Sequence, residues 1–264
     1  FSRVESPRMM ARSLLVLALL VASAVLPARA QTAGQWIARA RARLGTESAL
    51  NSVTTIHFIG TLETTEKLPS AKDKSILVEQ PVKRPVDIIF QKPHRQRITI
   101  TGPKTIDVTA LDGYDAWLKR TTLLNPSQWQ LTLLDAGQIK RLRAQSWDNL
   151  NFLAGIEKLG GTMRLGGEAT VDGIACVKLV FTYLENMVYT RYFDKATARL
   201  VKTDAQDGTE IREEGDNFVN GVRFARRVIN KGPDGQLTII TIDQVLLNEN
   251  FPASEFAVPT LQAN

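Results

Sequence analysis

The residue types that most often perform catalysis are few and scattered in this sequence. Its two histidines are separated: His57 alternates out of phase with Ile56 and Phe58 in a strand-like segment, and His94 stands in a predicted turn. There is no His-Glu-x-x-His or paired-cysteine spacing, no Gly-x-Ser-x-Gly elbow and no glycine-rich phosphate loop. Zinc hydrolases, serine hydrolases and nucleotide-binding enzymes depend on those patterns. The sequence therefore predicts neither a metal site nor a cofactor.

One cluster of carboxylates could in principle support hydrolysis, since two acids at a suitable separation do so in glycosidases. Glu210, Glu213, Glu214 and Asp216 fall within seven residues of one another, with Arg212 among them. Like charges on one strand repel each other unless they are solvated or paired. We therefore interpret the cluster as a solvated strand end, and we predict no catalytic residues and no enzymatic activity.

Composition narrows the class of protein further. The 264-residue chain has a net charge of +6, which falls to +3 without residues 1–30 because that segment holds four arginines and one glutamate. This charge is too mild to predict nucleic-acid binding, and the sequence has no basic run with interleaved aromatic residues. The single cysteine, Cys176, cannot form an internal disulfide, and its position in a strand predicts that it is buried.

The N-terminal segment has the pattern of an export signal. Arg12 precedes an apolar run over residues 14–26, and Ala28-Arg29-Ala30 closes the segment with an A-x-A site. A basic region, a short apolar stretch and small residues at this spacing are typical of a secretory signal peptide. The run is shorter than the ~20 residues of a transmembrane helix. We predict a signal peptide over residues 1–30 and a single domain over residues 31–264.

The elements of the mature chain follow from two periodicities. Helical spacing predicts one amphipathic helix over residues 35–49, and alternation predicts strands over residues 53–65, 86–101 and 106–121. Residues 127–158 lose the alternation and carry many large apolar side chains, so we predict one or two helices there that cover the sheet.

Strands return over residues 162–259. Residues 174–183 place Val177, Leu179 and Phe181 on one face, and Asn-Gly and Asp-Gly pairs, which favour two-residue hairpin turns, recur between the strands. Helix, strands, helices and strands in this order predict an α+β domain. Its core is a single highly curved antiparallel sheet, an incomplete barrel, with helices covering the concave, apolar side.

Three local patterns together resemble a known family. Phe90-Gln91-Lys92-Pro93-His94-Arg95-Gln96-Arg97 is similar to the F-x-K-P-x-x-x-R strand turn of periplasmic lipoprotein carriers, and Asp112-Gly113-Tyr114-Asp115-Ala116-Trp117 to their D-G-x-x-x-W hairpin. A closing series resembles the C-terminal half of LolA-like lipoprotein-sorting proteins. It consists of Tyr192-Phe193-Asp194-Lys195, Leu200-Val201-Lys202, Asn220-Gly221-Val222-Arg223-Phe224, Asn248, Phe251 and Phe256-Ala257-Val258-Pro259.

The resemblance implies a periplasmic carrier, a monomer, that holds lipid or lipoprotein acyl chains in an apolar cavity. It also implies transport towards the outer membrane, with inner- and outer-membrane transport proteins as partners. A protein-binding envelope sensor or adaptor on the same scaffold is the alternative. The candidate cavity residues are large apolar side chains of the predicted strands: Phe58, Ile88, Phe90, Ile98, Ile100, Trp117, Leu179, Phe181, Tyr192, Phe224, Ile240 and Ile242.

Overall fold

A computed structural model describes residues 31–183 and 187–260, so the predicted signal peptide lies outside the described residues. Residues Gln31–Asn264 form one compact unit. Its helices are α1 (Ala33–Leu44), α2 (Glu47–Ser52) and α3 (Ala136–Asn151), with 3-10 turns at Ile156–Leu159 and Ala253–Glu255. Its strands are β1 (Thr55–Pro69), β2 (Leu77–Gln91), β3 (Arg95–Thr101), β4 (Thr105–Asp112), β5 (Asp115–Thr122), β6 (Trp129–Leu133), β7 (Thr162–Val171), β8 (Ile174–Tyr183), β9 (Met187–Asp194), β10 (Leu200–Ala205), β11 (Glu210–Glu214), β12 (Asn217–Val219), β13 (Val222–Phe224), β14 (Arg227–Lys231) and β15 (Leu237–Leu247).

Thirteen of these strands form one antiparallel sheet in the order β6-β5-β4-β3-β2-β1-β15-β14-β11-β10-β9-β8-β7. The sheet is curved and does not close into a barrel, and its concave, apolar side is covered by the helices. The α+β prediction is therefore confirmed. The two remaining strands, β12 and β13, pair with each other as a separate hairpin.

Local signals explain the helix and turn boundaries. Thr32 and Gln35 form a capping box that starts α1, and Gly45 ends it, so the helix predicted over residues 35–49 is divided into α1 and α2. The Asn220-Gly221 pair turns β12 into β13 with φ angles of 50° and 77°. Both positive angles are those of a type I′ hairpin turn, as the sequence predicted.

The helical prediction over residues 127–158 is wrong for its first part. Residues Trp129–Leu133 form the edge strand β6, which pairs with β5, and α3 begins only at Ala136 behind the N-cap Asp135. Trp129, Leu131 and Leu133 alternate with polar residues, and this short period-two signal was masked by the apolar residues that follow it.

Strand β2 is longer than the alternating segment that predicted it. It begins at Leu77 and runs through Pro81 and Pro85 before it meets β3 at Val86. Proline lacks the N–H that a neighbouring strand would need, so it is tolerated where one side of a strand has no partner.

Candidate ligand-binding surface

The concave side of the sheet carries an apolar cluster centred on Phe58 of β1. Because Phe58 pairs with Ile88 on β2 and with Val245 on β15, these three side chains project from the same face. Ile88 in turn pairs with Ile98 on β3. The cluster contains eight of the candidate cavity residues: Phe58, Ile88, Phe90, Phe224 and Ile242 are buried, and Ile98, Ile100 and Ile240 are partly buried against them.

Side chains from outside the sheet fill this cluster. Phe224 of the β12–β13 hairpin meets Phe58 edge-on, with ring centroids 5.6 Å apart, and Phe152, just after α3, lies 6.2 Å from Phe224. Leu150 of α3 is fully buried in the same cluster. We call α3, residues 152–159 and the β12–β13 hairpin the closing layer, since together they cover the apolar face.

A second apolar cluster lies on the same side, over β7 to β9. Leu179 and Phe181 of β8 are completely buried there. They are covered by Trp36 and Ile37 of α1, and by Ile156 of the 3-10 turn. Ten of the twelve candidate cavity residues thus lie on the concave side, divided between two clusters.

A buried ion pair holds α3 against β9. The guanidinium of Arg191, whose side chain is only 6% exposed, donates to the carboxylate of Asp148 in α3 and lies 4.3 Å above the Phe181 ring. The Tyr183 hydroxyl also donates to Asp148, and burial raises the pKa of that hydroxyl well above its usual range. Sequence analysis missed this site. The sequence did contain a signal for it: Arg191 alternates with Tyr189 and Phe193, so it lies on the apolar face of β9.

A second polar contact anchors the segment that follows α3. Arg41 of α1 donates from Nη1 to the carbonyl oxygens of Asn151 and Phe152, both at 2.7 Å, and is itself held by two hydrogen bonds to Glu47. Phe152 and Leu153 have positive φ angles of 49° and 70°. The chain therefore leaves α3 through a conformation that non-glycine residues seldom adopt, and Arg41 satisfies the carbonyls exposed there.

Two candidate cavity residues lie on the opposite, convex side. Followed from β1 to β5, the register places Trp117 on the same face of the sheet as His57, which is opposite to the face of Phe58. Tyr192 pairs with Lys178, and the side chain of Lys178 projects from the face opposite to that of its neighbour Leu179. Alternation alone does not say which phase of a strand faces the helices, so the sequence could not make this distinction. Trp117 and Tyr192 are therefore separated from the concave surface.

The C-terminal segment crosses the convex side of the sheet. Trp117 donates its indole N–H to the Phe256 carbonyl at 2.9 Å, and His57 lies between Glu249 and Asp87, with ring nitrogens 2.6 and 2.7 Å from the carboxylate oxygens. A cleft of about 580 Å³ opens beside this segment, lined by Arg97, Thr99, Val108, Trp117, Lys119, Ser254, Glu255, Ala257, Val258, Pro259 and Thr260.

The carboxylate cluster is neutralised by arginines. Glu210 lies 2.6 Å from Arg212, and Glu214 lies 2.8 Å from Arg227. Arg223 lies between the other two acids, 2.5 Å from Asp216 and 3.7 Å from Glu213. Glu210, Glu214 and Asp216 agree with the predicted solvated strand end, since their ion pairs lie at the surface. Glu213 does not: it pairs with Val228, which packs against the concave cluster, and burial raises the pKa of its carboxyl despite nearby Arg223 and Arg191.

The Nδ1 atom of His94 is buried and has no hydrogen-bond partner in the part of the chain that the structure describes. Its ring stacks on Trp147 with centroids 5.6 Å apart, and burial, together with nearby Arg143, lowers its pKa. Over residues 31–183 and 187–260, no group of three or more histidine, cysteine or acidic side chains is arranged to hold a metal ion. Within the same ranges no helix is long and apolar enough to span a membrane.

Three solved structures share this architecture over most of their length. A LolA superfamily protein from Nitrosomonas europaea matches at a TM-score of 0.57 and 14% identity, over 87% of this chain and 99% of its own. A DUF1329 family protein from Desulfovibrio piger matches at 0.53 and 12%, and a domain described as an outer membrane lipoprotein-sorting protein from Vibrio parahaemolyticus at 0.53 and 10%. Each of these two covers 85% of this chain and 97% of its own.

The sequence comparisons found no match. No family model matches the chain, and no curated protein matches its sequence. At identities this low the structural likeness establishes the fold, and the fold is the one that the sequence motifs predicted.

Proposed function

We propose that this LolA-type fold serves as a periplasmic carrier, or sequestering protein, for the acyl chains of lipids or lipoproteins. The chains bind between the concave face of the sheet and the closing layer, and the protein moves them towards the outer membrane. The activity is binding rather than catalysis. Inner- and outer-membrane transport proteins are the corresponding donors and acceptors.

The observation that carries this proposal is how the apolar face is covered. In the described chain the concave side is covered by the closing layer, whose strands β12 and β13 are three residues long each, together with α1 and α2, which are short separate elements. Phe152 and Phe224 occupy the space over Phe58, so shifting them exposes a continuous apolar surface. Each CH₂ group of an acyl chain buried there contributes about 0.8 kcal/mol, so a chain of ordinary length can compensate for the displaced contacts.

The anchors of the closing layer support a reversible opening. Asp148 holds α3 through Arg191, and Arg41 holds the following turn through two carbonyl oxygens. Such directional contacts form in one geometry only, so the layer has a defined closed position. Two of the structural neighbours are described as LolA superfamily and lipoprotein-sorting proteins, which agrees with a carrier on this fold.

Lipid capture and a matched pair of variants test the proposal. Ile240 and Ile239 are adjacent residues of β15, both partly exposed, but Ile240 lies in the concave cluster and Ile239 faces the convex side. We expect native mass spectrometry of gently purified protein to show bound lipid. Ile240→Asn should reduce that fraction severalfold, whereas Ile239→Asn should leave it close to wild type.

Thermal unfolding of both variants provides the control for folding. If the wild-type protein emerges without lipid and binds none from an envelope extract, the carrier proposal is wrong. A stable protein partner found by periplasmic crosslinking, with affinity unchanged by delipidation, would instead support the sensor or adaptor alternative.

A further inference from the structure

The two outer edges of the sheet differ in how they are protected against pairing with another strand. Exposed strand edges are usually blocked by prolines, bulges or charges, since an unblocked edge recruits further strands. Strand β7 carries a bulge between Leu165 and Gly167, and the unpaired part of β2 carries Pro81 and Pro85. Strand β6 reads Trp-Gln-Leu-Thr-Leu and has none of these devices.

The main-chain N–H and C=O groups of successive β6 residues point alternately towards β5 and towards the free edge of the sheet. Thr122 donates to the Gln128 carbonyl at 3.1 Å, and Leu134 donates to the Ala116 carbonyl at 2.9 Å, so the even-numbered residues pair with β5. In an antiparallel ladder the intervening residues direct their N–H and C=O groups to the other side. Trp129, Leu131 and Leu133 therefore present six hydrogen-bonding groups at the free edge, and in the described chain no strand pairs with them.

The side chains of the same three residues form an apolar stripe in which Trp129 and Leu131 are partly exposed and Leu133 is exposed. They share the convex face with Trp117, because Trp117 pairs with Leu133 and Lys119 pairs with Leu131. Leu133 is 67% exposed. The Lys119 ammonium lies 4.7 Å above the Trp129 ring, so the one charge beside the stripe is held by an indole of its own chain.

We propose that β6 pairs antiparallel with β6 of a second copy of this chain, about a two-fold axis at Leu131. In this register Leu131 meets its own counterpart, and Trp129 lies opposite the partner copy's Leu133. The three pairs form six main-chain hydrogen bonds and cover the exposed leucines. This proposal is independent of the lipid-binding function, and it replaces our expectation of a monomer.

Matching side-chain sizes and the absence of charged residues favour a second copy as the occupant. A large indole is matched with a leucine at both ends of the pairing, and a leucine meets a leucine at the centre. Since β6 carries no charged residue, two copies approach without the like-charge repulsion that destabilises cross-strand pairs. A five-residue strand pair is smaller than a standard protein interface, so we expect a reversible dimer whose population rises with concentration.

Sedimentation velocity over a wide concentration range measures this dimer directly. Leu131→Pro removes one outward N–H without removing a hydrogen bond to β5, and Leu131→Lys places two like charges directly opposite each other at the two-fold axis. We expect the wild type to shift from monomer to dimer, and both variants to stay monomeric throughout. Leu77→Lys, at another exposed leucine far along the chain, should dimerise like the wild type.

Amide hydrogen exchange locates the contact. The amides of Trp129, Leu131 and Leu133 should become protected as the concentration rises, whereas those of Gln130 and Thr132, already bonded to β5, should not change. A wild-type protein that is monomeric at the highest concentration overturns the proposal. So does a dimer that survives both β6 substitutions, since it must form through another surface.

Discussion

Arg191 shows how much a single side chain contributes to closing this molecule. A charged group that is 6% exposed is stable only when it is paired, and Arg191 is paired with Asp148 and Tyr183 and stacked on Phe181. Because Asp148 belongs to α3 while the other three residues belong to the sheet, the ion pair positions the closing layer relative to the sheet.

Removing the acid from this pair should be strongly destabilising. Asp148→Ala removes the carboxylate that pairs directly with the buried Arg191 guanidinium, and breaking a buried pair from one side costs about 3–5 kcal/mol. Urea denaturation followed by circular dichroism measures the change in unfolding free energy.

The paired replacement separates charge burial from loss of packing. Asp148→Leu together with Arg191→Met replaces both charges by apolar side chains of similar volume and should come within about 1–2 kcal/mol of the wild type. A single Asp148→Ala variant as stable as the wild type would show that Arg191 does not depend on this carboxylate.

Among the elements, the β12–β13 hairpin is the part of the cover that lies closest to the proposed ligand site. It pairs with no strand of the large sheet in the described structure, and its buried residues Val222 and Phe224 attach it to the Phe58 cluster. Arg223, on the intervening position, binds Asp216 and Glu213 instead. The hairpin is thus attached by two apolar side chains on one face and by the ion pairs of Arg223, whose side chain is 11% exposed, on the other.

Truncating the Phe224 side chain tests whether the β12–β13 hairpin occupies the ligand site. Phe224→Ala removes the ring between Phe58 and Phe152 and should lower the unfolding free energy by about 3–5 kcal/mol, as for other buried Phe→Ala changes. The same substitution should preserve or increase binding of a fluorescent fatty acid, because it enlarges the space over Phe58.

The matched control lies in the same hairpin. Phe218 is 67% exposed, so Phe218→Ala should change stability by less than about 0.5 kcal/mol and leave lipid binding unaltered. If Phe224→Ala folds but no longer binds lipid, then the Phe224 ring contacts the bound lipid instead of occupying the lipid site in the empty protein.

At the scale of the whole molecule, the pairing of β1 with β15 joins the two ends of the described chain. Ile56 pairs with Leu247 and Thr64 with Thr238, so the first strand and the last strand lie side by side within the sheet. The register shifts between Ile59 and Gly60. A Cβ atom at Gly60 would overlap the Thr241 carbonyl oxygen.

Gly60→Ala should therefore affect the whole fold rather than one turn. The methyl group forces β1 and β15 apart, so we expect a loss of at least about 3 kcal/mol, seen as a lower denaturation midpoint or as insoluble protein. Gly34→Ala in α1, where the nearest atom is 4.0 Å from the added Cβ, is the control and should stabilise by about 0.5–1 kcal/mol. Equal stability of the two variants would contradict this role of Gly60.

Local periodicity and turn residues are enough to predict most of the elements and, through them, the class of fold. Alternation in residues such as Val177, Leu179 and Phe181 marks a strand with one apolar face, and Asn220-Gly221 marks a hairpin turn, because both signals depend only on neighbouring backbone geometry. The burial of Cys176 was predicted for the same reason and is confirmed.

Which face of each strand is covered, and by which element, depends on contacts between segments that are distant in the chain. Trp117 and Phe58 have the same apolar character in sequence, yet the register of four successive strand pairs places them on opposite sides of the sheet. Arg191 is buried because α3 supplies Asp148 from 43 residues away. Strand β6 exists because β5 offers it an edge. Contacts of this kind are made between distant segments, so no local periodicity can encode them.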